Sequence, residues 1–451
     1  MELANKYFMD KWPDPTAAIV TDKTRPSNLW TRSTYHEGLL ALYYINRDTS
    51  FYKYLVTWGT FFSWGPTYGG KTTRIADNHC CGQAYLELYL LDRKPERIQT
   101  IQSCIDGMVN STIIRDWWWI DALHMAMPVF AKYGVLYGDD KYWEKMYNLY
   151  DYTKTKAKGV GLYNTTDHLW YRDSVYLPPK VTSNNLPVYW SRGNGWVLAA
   201  LTRTLDVMPL TAPHRSEYVT TFKEMAAKLI TIQRTDGFWN SSLADPNDYG
   251  GKETSGTAFF IYGLSWGINN GLLDSVTYYP AVAKGWNGMV NDALHTDGML
   301  GYVQGSGSKP ADGQPLSYDK APNFEDFGLG GFLLAGSEVY KLAHDSVGAV
   351  TFADGKIKTA SNASLAAFPN PFSGITNISY TTENKDVDLM VFDSKGNKIY
   401  TLITKSVQKP GTYSLIWNGT GYNGKIVPSG IYIIYLRDGW TIKQLKVVRI
   451  N

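Results

Sequence analysis

Cysteine is scarce in this 451-residue chain: only Cys80, Cys81 and Cys104 occur. Three cysteines make no disulfide framework, and no CxxC pair or Cys/His spacing marks a zinc site. No predominantly apolar run reaches about 18 residues, so no segment is suited to span a membrane. An excess of charge of one sign is lacking too. The formal net charge is +3, and no basic cluster precedes the C-terminal quarter, which argues against a nucleic-acid surface. The opening MELANKYFMDKW has no basic-then-apolar leader. A cytosolic chain, or a secreted one that has lost its leader, is expected.

Aromatic residues are abundant instead, at 14% with 16 Trp and 33 Tyr. Most must fill a large core, and a surplus suits stacking on the apolar faces of sugar rings. The length exceeds what one core usually serves, so more than one domain is expected.

The chain changes character near residue 345. Upstream, Gly82–Leu91, Trp196–Val207, Tyr218–Gln233 and Phe327–Ala343 carry apolar residues at helical spacing. Gly-aromatic loops recur at Gly161-Leu162-Tyr163, Gly237-Phe238-Trp239 and Gly298-Met299-Leu300, the last two each opening on Thr-Asp. The Thr-Asp-Gly elements lie about 60 residues apart, the length of a helical hairpin with its loops, so the region holds about six hairpins. Closed into a ring, these make an all-α toroid over residues 1–345 whose loops shape a cleft at one end. A linear solenoid is the alternative, and the divergence of the units and their heavy loops favour the ring. A polar linker (346–363) follows. Strand alternation then takes over in 364–451, at Asn377–Thr381, Asp388–Phe392, Thr412–Trp417, Ile431–Arg437 and Thr441–Val448. Such a series predicts a small all-β sandwich.

One carboxylate interrupts the apolar run Trp117-Trp118-Trp119-Ile120-Asp121-Ala122-Leu123-His124. An ionised carboxylate is costly there. Asp121 is therefore either a paired structural group or a partly protonated general acid. His124 follows on the same helical face, and either shares that site or is a core histidine. In Arg74-Ile75-Ala76-Asp77-Asn78-His79, Asp77 and His79 stand at a helix mouth. Asp77 there either caps the helix or joins His79 in orienting a water and a sugar hydroxyl. Adjacent residues point different ways, so the cluster is a poor metal site. In Trp190-Ser191-Arg192-Gly193-Asn194-Gly195-Trp196, two glycines ease a tight bend and Arg192 offers a fork that matches a carboxylate. Trp190 and Trp196 add flat apolar faces. A structural cation–π stack is the alternative, and a substrate-facing loop is the expectation. Segments 31–38 and 167–173 also hold groups able to bond sugars, Tyr35, His168 and Arg172 among them.

Together, RIADNHCCGQAYLELY, WWWIDALHMAMP, DHLWYRD and YWSRGNGWVLAAL, within residues 3–344, resemble glycoside hydrolase family 105. These are the unsaturated rhamnogalacturonyl hydrolases; a more distant resemblance is to the unsaturated glucuronyl hydrolases of family 88. The resemblance implies an (α/α)6 barrel acting, without cofactor or metal, on oligosaccharides left by polysaccharide lyases. Their terminal uronic acid carries a C4=C5 double bond. Protonation at C4 and addition of water at C5 would release the neighbouring sugar. By the same resemblance Asp121 is the acid, and Asp77 a second acid that holds ring hydroxyls and the water. Arg192 binds substrate and suits the uronate carboxylate, Trp190 and Trp196 line the sugar site, and Tyr35 touches substrate. The family's histidine after the Gly-Leu-aromatic loop is displaced here, leaving His168 or Arg172 for its place. Pectic rhamnogalacturonan is the family default, and ulvan, a sulfated rhamnose–uronate polymer, the alternative. A lyase on the same toroid and a non-catalytic glycan-binding protein are the rival classes.

The tail has its own resemblance. Phe368-Pro369-Asn370-Pro371-Phe372, VDLMVFDSKGNKIYTL and a terminal IKQLKVVRIN are similar to type IX secretion C-terminal sorting domains. That implies an Ig-like sandwich over residues 364–451 and export to the periplasm, the cell surface or the medium in a Bacteroidetes-type bacterium, with the secretion machinery as partner. A carbohydrate-binding module is the rival reading. The tail holds ten Lys and Arg against five acids, leaving the rest of the chain near −2.

Overall fold

Six helices are apolar on nearly every side, and such helices must be surrounded by protein. They are α2 (Trp30–Asn46), α5 (Cys81–Leu91), α7 (Asp121–Tyr137), α9 (Ser191–Val207), α11 (Thr254–Asn269) and α13 (Asp326–Val350). In α9, all residues from Ser191 to Leu205 are buried. Six others bury one stripe only: α1 (Glu2–Lys11), α3 (Thr49–Phe61), α6 (Glu96–Val109), α8 (Lys141–Asp151), α10 (Arg215–Thr231) and α12 (Ser275–Gly288). A short α4 (Ala76–His79) leads into α5. This computed structural model describes residues 1–320, 322–350, 365–382, 386–393, 397–422, 424–438 and 441–450.

The inner helices pack in the cyclic order α2, α5, α7, α9, α11, α13, and α13 returns to α2. Each pairs with one outer helix, α1 serving α13, so six hairpins close an (α/α)6 ring. The closing seam requires glycine. A Cβ on Gly38 would lie 2.5 Å from the Gly330 carbonyl oxygen, and one on Gly330 would lie 2.3 Å from that of Thr34. The recurring loops take one shape: Gly161, Gly237 and Gly298 have φ of 76°, 93° and 103°.

Two short hairpins decorate the loops, β1 (Ile19–Val20) with β2 (Thr24–Arg25), and β3 (Tyr163–Asn164) with β4 (Leu169–Trp170). The chain divides near residue 351 into this helical unit and a β unit. Helix α13 runs past the expected boundary at 345, and most of the expected linker, 346–363, lies outside the described residues. The β unit contains β5 (Leu365–Phe368), β6 (Thr376–Thr382), β7 (Asp386–Asp393), β8 (Lys398–Val407), β9 (Gly411–Trp417), β10 (Gly430–Asp438) and β11 (Thr441–Arg449). They form two antiparallel sheets, β11-β10-β7-β8 and β5-β6-β9. Ile378, Leu389, Val391, Trp417, Ile434 and Val447 belong to their shared core.

One local expectation is corrected. Ser191–Gly195 is the first turn of α9, not a loop. Its glycines serve close packing: a Cβ on Gly195 would lie 3.1 Å from that of Phe259 on α11, and one on Gly193 would lie 2.8 Å from the Trp190 ring.

Candidate active site

Asp121 is the first residue of α7 and Asp77 the second of α4. Both stand at helix N-termini, where the dipole tolerates negative charge. One tether joins their segments, and a second holds the Arg172 segment against that of Asp121. Arg74 grips Asp116 with two parallel bonds, Nε to Oδ1 at 2.9 Å and Nη2 to Oδ2 at 2.5 Å. The Ile120 amide donates to the Arg172 carbonyl at 3.0 Å, and Trp119 bridges to Asp173. Asn194 on α9 fixes the same strand, accepting from the Trp170 amide at 2.8 Å and donating to its carbonyl at 3.0 Å.

Arg172 is thereby aimed at the acid. Its Nε donates to Asp121 Oδ2 at 3.0 Å and its Nη1 to Asp173 Oδ2 at 2.7 Å. Asp173 also accepts from the Val175 amide. Burial lifts the Asp77 carboxyl to about 7, with the Asp121 charge adding to the lift and Arg172 opposing it. Asp121 is raised as well, because burial outweighs the pull of Arg172. Both shifts run toward the protonated form, the direction that general-acid chemistry requires.

The other expected site residues fare differently. Arg192 is fully buried and donates Nη1 to the Gln304 carbonyl and Nη2 to that of Gly305, both at 2.7 Å. Its guanidinium lies over Trp190 and Phe327 at 4.5 and 4.7 Å. Arg192 thus makes the cation–π contact, and both of its terminal nitrogens are engaged on carbonyls. Trp190 donates to Gln304 Oε1, and Trp196 packs among Trp30, His124 and Phe259. Both are buried. Tyr35 is enclosed as well, donating to Asn5 Oδ1 at 2.8 Å.

Among the described residues, none of the expected histidines contacts the acid pair directly. His79 is buried against the Thr73 carbonyl at 3.0 Å, and burial lowers it to about 4. His124 is buried 3.2 Å from Glu37 Oε2, which also lies 3.3 Å from Arg203 Nε. His168 turns to Tyr163 and, at 3.7 Å, to Glu224 on the outer helix α10. Arg172 is the member of that segment that reaches Asp121.

Sequence reasoning missed Arg74–Asp116, Asn194 and the buried Glu37–Arg203 pair. An exposed Trp118, packed on Trp119 three residues before Asp121, was also passed over. Among the described residues, no group of three His, Cys, Asp or Glu side chains is placed to hold a metal ion, and no helix is long and apolar enough to cross a membrane.

Residues 1–343 match the model of glycosyl hydrolase family 88. The chain belongs to that family. Residues 366–451 of this family 88 glycoside hydrolase match a secretion system C-terminal sorting domain. The tail is thus a type IX sorting domain and not a binding module, and it marks a secreted or cell-surface protein of a Bacteroidetes-type bacterium.

An unsaturated 3S-rhamnoglycuronyl hydrolase from Formosa agariphila is 33% identical over 335 residues, covering 69% of this chain and 84% of the relative. A solved family 88 hydrolase from Bacteroides vulgatus is 32% identical, with a TM-score of 0.68 over 75% of this chain and 97% of its own. Another solved structure, described as a polysaccharide lyase, is 30% identical, with a TM-score of 0.69 over 79% of this chain and 97% of its own. By its family, the chain is therefore a glycoside hydrolase.

Proposed function

We propose that the enzyme removes the terminal 4,5-unsaturated uronic acid from lyase-generated oligosaccharides by hydrating the C4=C5 bond. The supporting observation is the Asp77–Asp121 pair, half-buried and buried respectively, both raised above the ordinary carboxylate range, with Arg172 bonded to Asp121. Asp121 gives its proton to C4, and the electron pair of the alkene forms the new C–H bond. Positive charge at C5 is shared with the ring oxygen. Water adds at C5 and passes a proton to the carboxylate pair, with Asp77 holding the ring hydroxyls and the attacking water. The hemiketal then opens, leaving a ketone at C5, and the hemiacetal at C1 releases the neighbouring sugar. No glycosidic oxygen is attacked, so the usual carboxylate-spacing rule for glycosidases does not govern this site.

The Formosa relative's name carries rhamnose, a uronyl unit and a 3S mark. That supports ulvan fragments, in which rhamnose is sulfated, over pectic rhamnogalacturonan. We place the working enzyme outside the inner membrane, delivered by the type IX machinery that reads its tail.

The solved structure described as a lyase keeps one rival reading in view. The two chemistries move the enoate absorbance in opposite directions: a lyase creates the double bond and a hydratase destroys it. Incubation with ulvan-lyase and rhamnogalacturonan-lyase products should lower the ultraviolet absorbance, fastest on the ulvan set. A rise on intact polysaccharide, with no fall on either oligosaccharide set, would establish the lyase.

A further inference from the structure

Two arginines lie within electrostatic reach of Asp121, and they differ in freedom. Arg192 spends its guanidinium inside the protein, on two carbonyls and two ring faces. Arg172 keeps 19% of its side chain exposed. Its Nε and Nη1 are engaged by Asp121 and Asp173, while Nη2 has no protein partner among the described residues. The fork is therefore anchored at one end by Asp173 and open at the other, beside the acid.

We infer that Arg172 receives the carboxylate of the unsaturated uronyl unit through Nη2, and that this bond draws the guanidinium away from Asp121. The inference rests on the reading of the enzyme as an unsaturated-uronyl hydrolase. A bidentate arginine–carboxylate pair is the stronger of the contacts open to that guanidinium. In the free enzyme the Arg172 bond favours ionised Asp121 against the effect of burial. Once that bond is shared or lost, the groups facing Asp121 are Asp77 from α4, the substrate carboxylate, and Arg192 from α9, held by its carbonyls. Burial and two negative neighbours then favour the protonated acid, and Asp121 takes its proton from solvent as the complex forms. Asp173 keeps Arg172 charged and tethered throughout. The acid is loaded only when a substrate carrying the carboxylate arrives, and a neutral ester would neither anchor nor load it.

The test compares an unsaturated uronyl disaccharide with its methyl ester in wild type, Arg172→Gln and Arg172→Lys, each checked for a native melting transition. Wild type should prefer the acid by ~100-fold in kcat/KM, the worth of one desolvated charge-assisted pair. Arg172→Gln should shrink that preference to a few-fold, chiefly by raising KM for the acid, with Arg172→Lys in between. In wild type the alkaline limb of kcat should lie at higher pH than that of kcat/KM, because binding raises the acid. In Arg172→Gln the free enzyme already lacks the restraining charge, so the two limbs should converge.

An unchanged acid-to-ester ratio in folded Arg172→Gln, or coincident limbs in wild type, would overturn the inference and leave the hydrolase reading standing. Failure of wild type to consume the acid substrate would overturn both.

Discussion

Arg192 holds the carbonyl of Gln304, 112 positions further along the chain, at 2.7 Å. Gln304 in turn accepts from the Trp190 indole and donates to the carbonyls of Lys309, Pro310 and Asp312. The arginine that most resembles a carboxylate reader is thus the pin of a loop. Arg192→Ala should strand two buried carbonyls and lower stability by about 3 kcal/mol. Thermal unfolding reads this directly. An unchanged melting temperature with a raised KM for uronyl substrates would return Arg192 to substrate binding.

The lifted Asp77 carboxyl makes stability depend on pH in a defined direction. Its folded pKa of about 7 exceeds the ordinary 3.8, so the folded state binds the proton more tightly than the unfolded chain. The stabilisation is complete below the ordinary value and is lost as pH rises through about 7. Asp77→Asn, which cannot ionise, should be more stable than wild type at pH 8 by about 2 kcal/mol, and no more stable at pH 4. Denaturant titrations at the two pH values check the sign. Equal differences at both would mean that Asp77 ionises normally in the folded protein.

Arg74 and Asp116 are half-buried and paired twice, and they join the segments that bear the two acids. Breaking the pair should loosen the spacing of Asp77 and Asp121 more than it unfolds the barrel. Arg74→Ala is expected to cost about 1 kcal/mol of stability and about 10-fold or more in kcat, with a smaller change in KM. A loss of stability with kcat intact would limit the pair to a structural role.

Much of this arrangement was legible beforehand. The six-hairpin ring follows from helical periodicity and from Gly-aromatic loops whose glycines do take left-handed backbone. Asp121 stood out because an acid in an apolar run has few physical explanations. The burial of Trp190, Trp196 and Arg192 was not legible, for an equally physical reason. A flat ring or a planar fork beside glycine has the same local pattern whether it faces a cleft or a neighbouring helix. The deciding partners, Phe259, Phe327 and Gln304, are remote in sequence. Strands β5 and β8 went unnoticed: β5 is only four residues long, and β8 pairs with β7 through three register shifts that break its alternation.

The central claim is that Asp121 delivers the proton that begins hydration of the alkene. It is tested most directly by following enoate absorbance with wild type and Asp121→Asn on the same unsaturated uronyl oligosaccharides, alongside calorimetric binding. Wild type should abolish the absorbance. Asp121→Asn should bind the oligosaccharide within a few-fold of wild type while turnover falls by about 1,000-fold or more. Retention of wild-type turnover by the folded asparagine variant would contradict the account.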